Sequence, residues 1–360
     1  MRVVVPKEIK DGEKRVALVP DVINKLTRLG FDVVIESGAG THSQALDAEY
    51  EAAGAMISDG EVLSAADAVL SVQPLTPAQM SKLKKGAITI SFLSPVTAVD
   101  SIDAAATAGV TAFSLELVPR ISRAQSMDAL TSQALCAGYR AVLVGAELSP
   151  RFFPLLMTAA GTVTPAQVLV LGAGVAGLQA IATAKRMGAI VFATDVRMAS
   201  KEQVESLGGK FLTVEGAENL ETEGGYAKEA SDDFKKKQEE LLSETLKKID
   251  IVICTALIPG KKAPVIIKED MINNMGSGSI IYDLAAIQGG NTAHTKVDEI
   301  VYSNGVKIMG ESNILNKLPT SASNLYAKNV FNFVSNLYDK ENNKININLE
   351  DEIIEKTLIK

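Results

Sequence analysis

The sequence predicts an α/β protein made of two doubly wound parallel sheets with a cleft between them. Three observations carry that prediction. Short β-branched runs alternate with helical segments along the chain, which implies parallel strands joined by crossovers. The alternation occurs twice, over 360 residues, a length that suits two domains. Between Arg151 and Lys185 no residue is charged, and that stretch reads as a buried central strand followed by its packed helix.

The opening strand is Arg2 to Val5, stopped by Pro6. DVINKLTRLG follows, with Val22, Ile23, Leu26 and Leu29 at helical spacing and Gly30 as the stop. FDVVIESGAG reads as a second strand and a glycine turn, and AADAVLSV and GAITISFL as two further strands around a helix that begins after Pro77. TAFSLELV is expected to be another strand. It leads into RISRAQSMDALTSQALCAGYRAVLVGA, expected to be mostly helix crossing to the second domain. There, QVLVLGAGVAGLQAIATAKRMGAIVFATD reads as strand, turn, helix, strand and acid, with IDIVICTAL, SGSIIYDLAA and VKIMGE as later strands. After Pro319 the chain is helical and is expected to return to the first domain, while the tail from Asp339 to Lys360 is expected to fray or to depend on an interface for its order. The expected domains are 1–136 with 311–360, and 137–310.

The net charge of -7 argues against a surface that neutralises many phosphates, so nucleic-acid binding is not expected. Two histidines and two widely separated cysteines, Cys136 and Cys254, offer no metal-ligand spacing and fit a reduced, cytoplasmic compartment. The start has no apolar signal core. The charge-free stretch fails as a spanning helix because Pro154, Gly161, Pro165, Gly172, Gly174 and Gly177 interrupt it.

Gly172-Ala173-Gly174-Val175-Ala176-Gly177 follows a strand and opens a helix. In that context Gly172 permits a tight turn, Gly174 lets the backbone approach a pyrophosphate, and Gly177 lets helix and strand pack closely. The free amides and positive dipole end of the helix then face the phosphates. Asp195 lies roughly 20 residues on, where a carboxylate accepts a ribose 2′-OH and repels a 2′-phosphate. The motif therefore points to NAD(H), with Arg197 as a phosphate contact that would weaken the preference. The alternative is a structural turn that holds no nucleotide. Farther on, the acidic segment around Gly224, Gly225 and Tyr226 is either a solvated linker or a lid hinged on its glycines, with Tyr226 as the lid contact.

Arg120, Gln125 and Asp128 place a cation, an amide and a carboxylate within the polar segment RISRAQSMD. Either this segment bends as a loop onto a nicotinamide and its ribose, or it is a helix start capped by Ser126 or Asp128. RISRAQSMDALTSQALCAGYRAV is similar to the signature of the nucleotide-binding first domain of proton-translocating transhydrogenases. The similarity continues through VPKEIKDGEKRVALVP, the glycine turn, GGYAKE, ALIPGKKAP, DLAAIQGGN and GESN, so it covers almost the whole chain. Alanine dehydrogenases share the fold and the opening segment.

The resemblance implies two Rossmann-like domains. It implies that Arg120, Gln125 and Asp128 surround the nicotinamide, with Thr131 standing where the family has serine. Gly172, Gly174, Val175, Ala176, Gly177 and Asp195 would hold the rest of NAD(H), helped by Tyr226, Ala256 and Leu257. Gln125 would reach toward a second nucleotide, NADP(H), carried by a partner subunit. Further implied are a homodimer, a separate membrane-spanning proton-channel subunit, Si-face-specific transhydrogenation, and a peripheral position on the cytoplasmic face of the membrane. Alanine dehydrogenases use a lysine and a histidine where this chain has Val72 and Ser94, and neither replacement supplies a general acid. Arg15 is able to bind a carboxylate, but in a basic opening segment it is expected to be solvated. Hydride transfer between two nicotinamides needs close, dry positioning and no proton donor. The alternatives are an amino-acid dehydrogenase and a non-catalytic NAD sensor.

Overall fold

In the computed structural model, which describes residues 1–214, 232–258, 261–339, 341–342 and 344–359, the chain divides into two compact units. Unit 1 comprises Met1–Gln133 and Leu315–Lys360, and unit 2 comprises Ala134–Ile314.

In unit 1, β1 (Arg2–Val5) leads to α1 (Pro20–Arg28), which starts on Pro20 and buries Val22, Ile23 and Leu26. Proline suits a first helical turn because the amide it lacks would have no intrahelical partner there. Next come β2 (Asp32–Glu36), α2 (Asp47–Ala52), β3 (Met56–Ser58), β4 (Ala68–Leu70) and α3 (Pro77–Met80). They are followed by β5 (Ile88–Ser91), α4 (Val99–Ala108) and β6 (Thr111–Ser114). Val3 and Val4 of β1 pair in parallel with Val33 and Val34 on one side and with Ala68 and Val69 on the other. The order β3-β2-β1-β4-β5-β6 reverses direction at β1, which is the doubly wound arrangement.

The strand expected over TAFSLELV ends at Ser114, because residues 115–117 tighten into a 3-10 turn. That turn aims the Glu116 carboxylate at the amides of Leu93 and Ser94, 2.9 and 2.7 Å away. The chain passes between units within α5 (Ala129–Leu148). A hairpin, β7 (Leu156–Thr158) with β8 (Gly161–Val163), precedes the second sheet.

Unit 2 repeats the winding. Its elements are β9 (Gln167–Leu171), α6 (Val175–Arg186), β10 (Ile190–Thr194), α7 (Ser200–Ser206), β11 (Lys210–Phe211), α8 (Asp232–Leu246) and β12 (Ile251–Cys254). The unit closes with α9 (Glu269–Asn273), β13 (Ile280–Asp283), β14 (Ile300–Ser303) and β15 (Val306–Met309). The order β11-β10-β9-β12-β13-β15-β14 reverses at β9, and only β14 runs antiparallel. Among the described residues no helix is long and apolar enough to cross a membrane.

The chain then returns to unit 1. Helix α10 (Pro319–Leu337) buries Tyr326, Val330, Phe333 and Leu337 in the first core, with Phe333 edge-on to Phe113. A short hairpin, β16 (Tyr338–Asp339) and β17 (Lys344–Ile345), leads to α11 (Glu352–Thr357) and β18 (Leu358–Ile359). Strand β18 pairs antiparallel with β6, and Ile353 and Ile354 are buried in the core. Asp351 caps α11 through the Ile353 amide and takes a two-pronged contact from Arg123. The tail is therefore built into the fold, contrary to the fraying its composition suggests. Ile353 and Ile354 are core residues, Ile345 and Ile347 pack half-buried against that core, and Asp351 caps and pairs.

Ile354→Ala should accordingly cost about 2–5 kcal/mol of stability, the usual range for emptying a core isoleucine site. Urea unfolding would show it as a lower midpoint at unchanged slope. An unchanged midpoint would mean that the tail does not contribute to the core.

Candidate functional site

The chain leaves β9 through Gly172, whose φ of +92° suits glycine. Three short bonds fix this turn: the Gly172 amide donates to the Thr194 carbonyl at 2.9 Å, and the Thr255 hydroxyl reaches the carbonyls of Leu171 and Gly172 at 3.0 and 2.8 Å. A Cβ on Gly172 would lie 2.7 Å from that hydroxyl oxygen, and one on Gly177 would lie 1.8 Å from the Gly172 carbonyl oxygen. Internal packing thus demands both glycines.

Gly174 differs. Its φ is -75°, and among the described residues a Cβ there would meet only the Arg197 guanidinium, at 3.9 Å. Nothing described in the chain requires glycine at this position, and the space beside its bare backbone is open apart from that guanidinium. Helix α6 starts here with no side-chain cap on its first-turn amides. Val175 is exposed and Ala176 half-buried at that start.

Asp195 follows β10 and lies almost buried beside the turn. Burial pushes its carboxyl up, but the Arg197 guanidinium and the amides of Arg197 and Ala173 more than compensate and hold it below the ordinary range. Four donors reach it: the Ala173 amide at 2.7 Å, and the Arg197 amide, Nε and Nη2, each at 2.8 Å. A carboxylate offers about four lone-pair sites, so this set fills Asp195. Arg197, read from sequence as a phosphate contact, is folded onto the acid instead. A ribose hydroxyl can bind Asp195 only by exchanging with one of these donors.

Beyond β12, the Ala256 amide lies close to Gly172, 3.3 Å from where a Cβ there would stand, and Leu257 after it is exposed. Sequence reasoning missed what holds Ala256. The buried Asn291 side chain accepts from the Ala256 amide at 3.1 Å and donates to the carbonyls of Ala256 and Pro264 at 2.8 and 2.9 Å. Asp283, also buried, accepts from the Asn291 amide at 2.7 Å and the Thr295 hydroxyl at 2.6 Å. Burial leaves its carboxyl above the usual range despite these bonds. The end of DLAAIQGGN, together with Thr255, was the available signal.

The polar segment of unit 1 forms a 3-10 helix, Ser122–Met127. Asp128 accepts from the Thr131 amide at 2.8 Å and the Thr131 hydroxyl at 2.7 Å, so it caps the start of α5. Asn329 and Asn332 of α10 clamp the Ser126 carbonyl at 2.9 and 3.0 Å. Arg120 and Gln125 are exposed on this braced segment. Tyr226 and its flanking glycines lie outside the described residues.

Val72 is fully buried, and Ser94 adopts a left-handed φ of +51°. Arg15, expected to be solvated, is buried against Glu13 with contacts of 2.6 and 2.8 Å, and it also donates to Gln133 at 3.0 Å. A buried guanidinium needs such a partner, and the pairing occupies it.

The N-terminal domain model of the alanine dehydrogenase/PNT family matches residues 4–137, and its C-terminal domain model matches residues 141–360. The chain is 50% identical to a Rhodospirillum rubrum protein named as the first portion of NAD(P) transhydrogenase subunit alpha, over all of this chain and 96% of that one. A protein of the same name from Rickettsia prowazekii is 45% identical, over all of this chain and 94% of the relative. A crystal structure of transhydrogenase from Sinorhizobium meliloti superposes with a TM-score of 0.91 at 43% identity, covering 99% of this chain and 98% of that one.

Gly177→Ala should destabilise the protein by about 1–3 kcal/mol or more, as overpacking does, because the new methyl meets backbone. Gly174→Ala should change the unfolding free energy from urea titration by no more than about 0.5 kcal/mol, as expected for a site without internal contacts. Equal losses in the two variants would contradict the separation drawn between these glycines.

Proposed function

Because the chain belongs to the alanine dehydrogenase/PNT family, we propose that it is the NAD(H)-binding subunit of a proton-translocating transhydrogenase. In this reading it passes a hydride from NADH to NADP+ held by a partner subunit, while a separate membrane-spanning subunit conducts the proton. The observation that carries the choice of reaction is the pairing of a complete nucleotide turn with the loss of the acid and the free cation that a dehydrogenase would use. Val72 and Ser94 occupy the positions where alanine dehydrogenases use lysine and histidine, and Glu13 already neutralises Arg15. A 2-oxo acid reductase needs a proton donor and a cation for its substrate. Hydride exchange between nicotinamides needs neither.

The pyrophosphate would sit against Gly172, Gly174, Val175, Ala176 and Gly177 at the start of α6, with the adenosine ribose on Asp195. Ala256 and Leu257 would border the nucleotide, and Tyr226 would be the lid contact. Arg120, Gln125, Asp128 and Thr131 would hold the nicotinamide end, with Gln125 directed to the partner's nucleotide. Asp128 and Thr131 already bind each other, so their first task is to fix the segment that carries Gln125. Bound NAD(H) supplies the hydride, and the protein supplies its orientation and the exclusion of water.

The β7–β8 hairpin region, with Phe152, Leu155 and Met157 exposed, supports a homodimer, since clustered exposed apolar side chains are usually covered by a partner. The dimer would work on the cytoplasmic face of the membrane through its partner subunits.

When the purified chain is mixed with an NADP(H)-binding transhydrogenase domain, NADH should reduce an NADP+ analogue. Absence of that reaction, with both nucleotides bound, would defeat the proposal. Gln125→Asn should slow this transfer about 100-fold, as small misplacements do, with NADH affinity nearly unchanged. Asp195→Asn should weaken NADH binding by about tenfold or more through loss of a charge-assisted hydrogen bond, which calorimetry would read. In light scattering, Phe152→Glu with Met157→Glu should convert the dimer to monomer.

A further inference from the structure

The segment that carries Gln125 is a 3-10 helix, Ser122–Met127, and that geometry sorts its residues. With three residues per turn, side chains three apart lie one above the other. Three rows result. Ala124 and Met127 form a row buried in the first core. Ser122 and Gln125 form an exposed row. Arg123 and Ser126 form the third, and both are held from the far end of the chain.

The hold has two parts. Asn329 and Asn332 of α10 donate to the Ser126 carbonyl. The Arg123 guanidinium lays its fork on the Asp351 carboxylate at 2.5 and 3.0 Å, and its Nη1 also donates to the Asn336 side chain at 3.1 Å. Asn336 in turn donates to Asp351 at 3.2 Å, which closes the set. Asp351 is itself fixed, because it caps α11 through the Ile353 amide at 2.9 Å and Ile353 and Ile354 anchor that helix in the core. The Arg123 guanidinium holds its carboxyl down at about 2, so the carboxylate is ionised throughout the neutral range.

This pair serves geometry more than stability. The Arg123 side chain is 52% exposed, and ion pairs that water reaches add little to folding. A planar fork on a carboxylate, however, fixes direction as well as distance. The buried row sets how deep the segment sits. The Ser126 clamp and the Arg123 fork, a third of a turn away, stop it from rolling on that row, and the roll is what aims Gln125.

We propose that Asp351 is a positioning residue for hydride transfer: acting through Arg123, it sets the rotation of the 3-10 helix and so the direction of Gln125. The proposal rests on the transhydrogenase reading of Gln125. It ties a residue near the carboxy terminus to the reaction without requiring that it touch either nucleotide.

A double-mutant cycle on the full chain tests this, with NADH as donor and an NADP+ analogue on an NADP(H)-binding transhydrogenase domain as acceptor. Asp351→Asn keeps a good capping residue for α11 and loses the charged fork. Arg123→Gln removes the guanidinium at an exposed position. Each should slow transfer about tenfold at saturating nucleotide, a milder loss than the roughly 100-fold that an ångström of misplacement costs. NADH affinity and melting temperature should hold. The double variant should be no slower than either single one, because both remove the same contact. Amide exchange over residues 120–128 should quicken in all three. Lys356→Gln breaks another exposed pair of α11, with Glu352, and should change none of these readings. The proposal is overturned if the variants transfer at the parent rate, if the single losses add, if NADH affinity falls with the rate, or if Lys356→Gln matches them. A parent chain that transfers no hydride defeats the transhydrogenase reading and this proposal with it, whereas an active parent with unaffected variants defeats this proposal alone.

Discussion

Parallel strands cannot be joined by tight turns, so each connection must climb over a face of the sheet, almost always with right-handed sense. A chain that starts in the middle of its sheet and winds outward both ways leaves one place where neighbouring connections part. In unit 2 that place lies between β9 and β12, and every feature of the glycine turn depends on it. Gly172 turns there, Thr255 crosses from β12 to tie the turn down, and Gly177 lets α6 lie close against it. The glycines and the threonine form one packing arrangement seen from two strands.

The same constraint explains how structure and chemistry divide the labour among neighbouring residues. Gly172 and Gly177 answer to the fold, whereas a side chain at Gly174 would meet only the Arg197 guanidinium among the described residues. Asp195 stays ionised because Arg197 and two amides surround it, and those same donors fill its lone-pair sites. Asn291 and Asp283 never reach the turn but fix the main chain at Ala256, as a positioning layer does around a binding site.

The alternation of strands and helices, the glycine turn and its acid were legible in the sequence because each depends on local geometry. Period, turn chemistry and spacing are properties of a few consecutive residues. What was not legible depended on distant partners. Arg15 looked like a solvated cation until Glu13 and Gln133 were seen around it. The tail looked frayed because its isoleucines follow no period, yet Ile353 and Ile354 fill a core made by the opening of the chain. TAFSLELV was read as one strand, and the error lay at Glu116, whose carboxylate serves amides after β5. Asp128 was poised between two readings, and the structure gives it the capping contact while leaving Gln125 on the surface.

The closing strand has a consequence for biosynthesis. Residues 358 and 359 complete the sheet begun by residues 2–5, and α10 fills that sheet's core. Unit 2, by contrast, is drawn wholly from residues 134–314. A ribosome therefore delivers everything the later-starting unit needs before it delivers the last pieces of the earlier one. Folding during synthesis should finish in the reverse of the order in which the units begin, with the amino-terminal strands waiting, exposed to chaperones, for their carboxy-terminal complement.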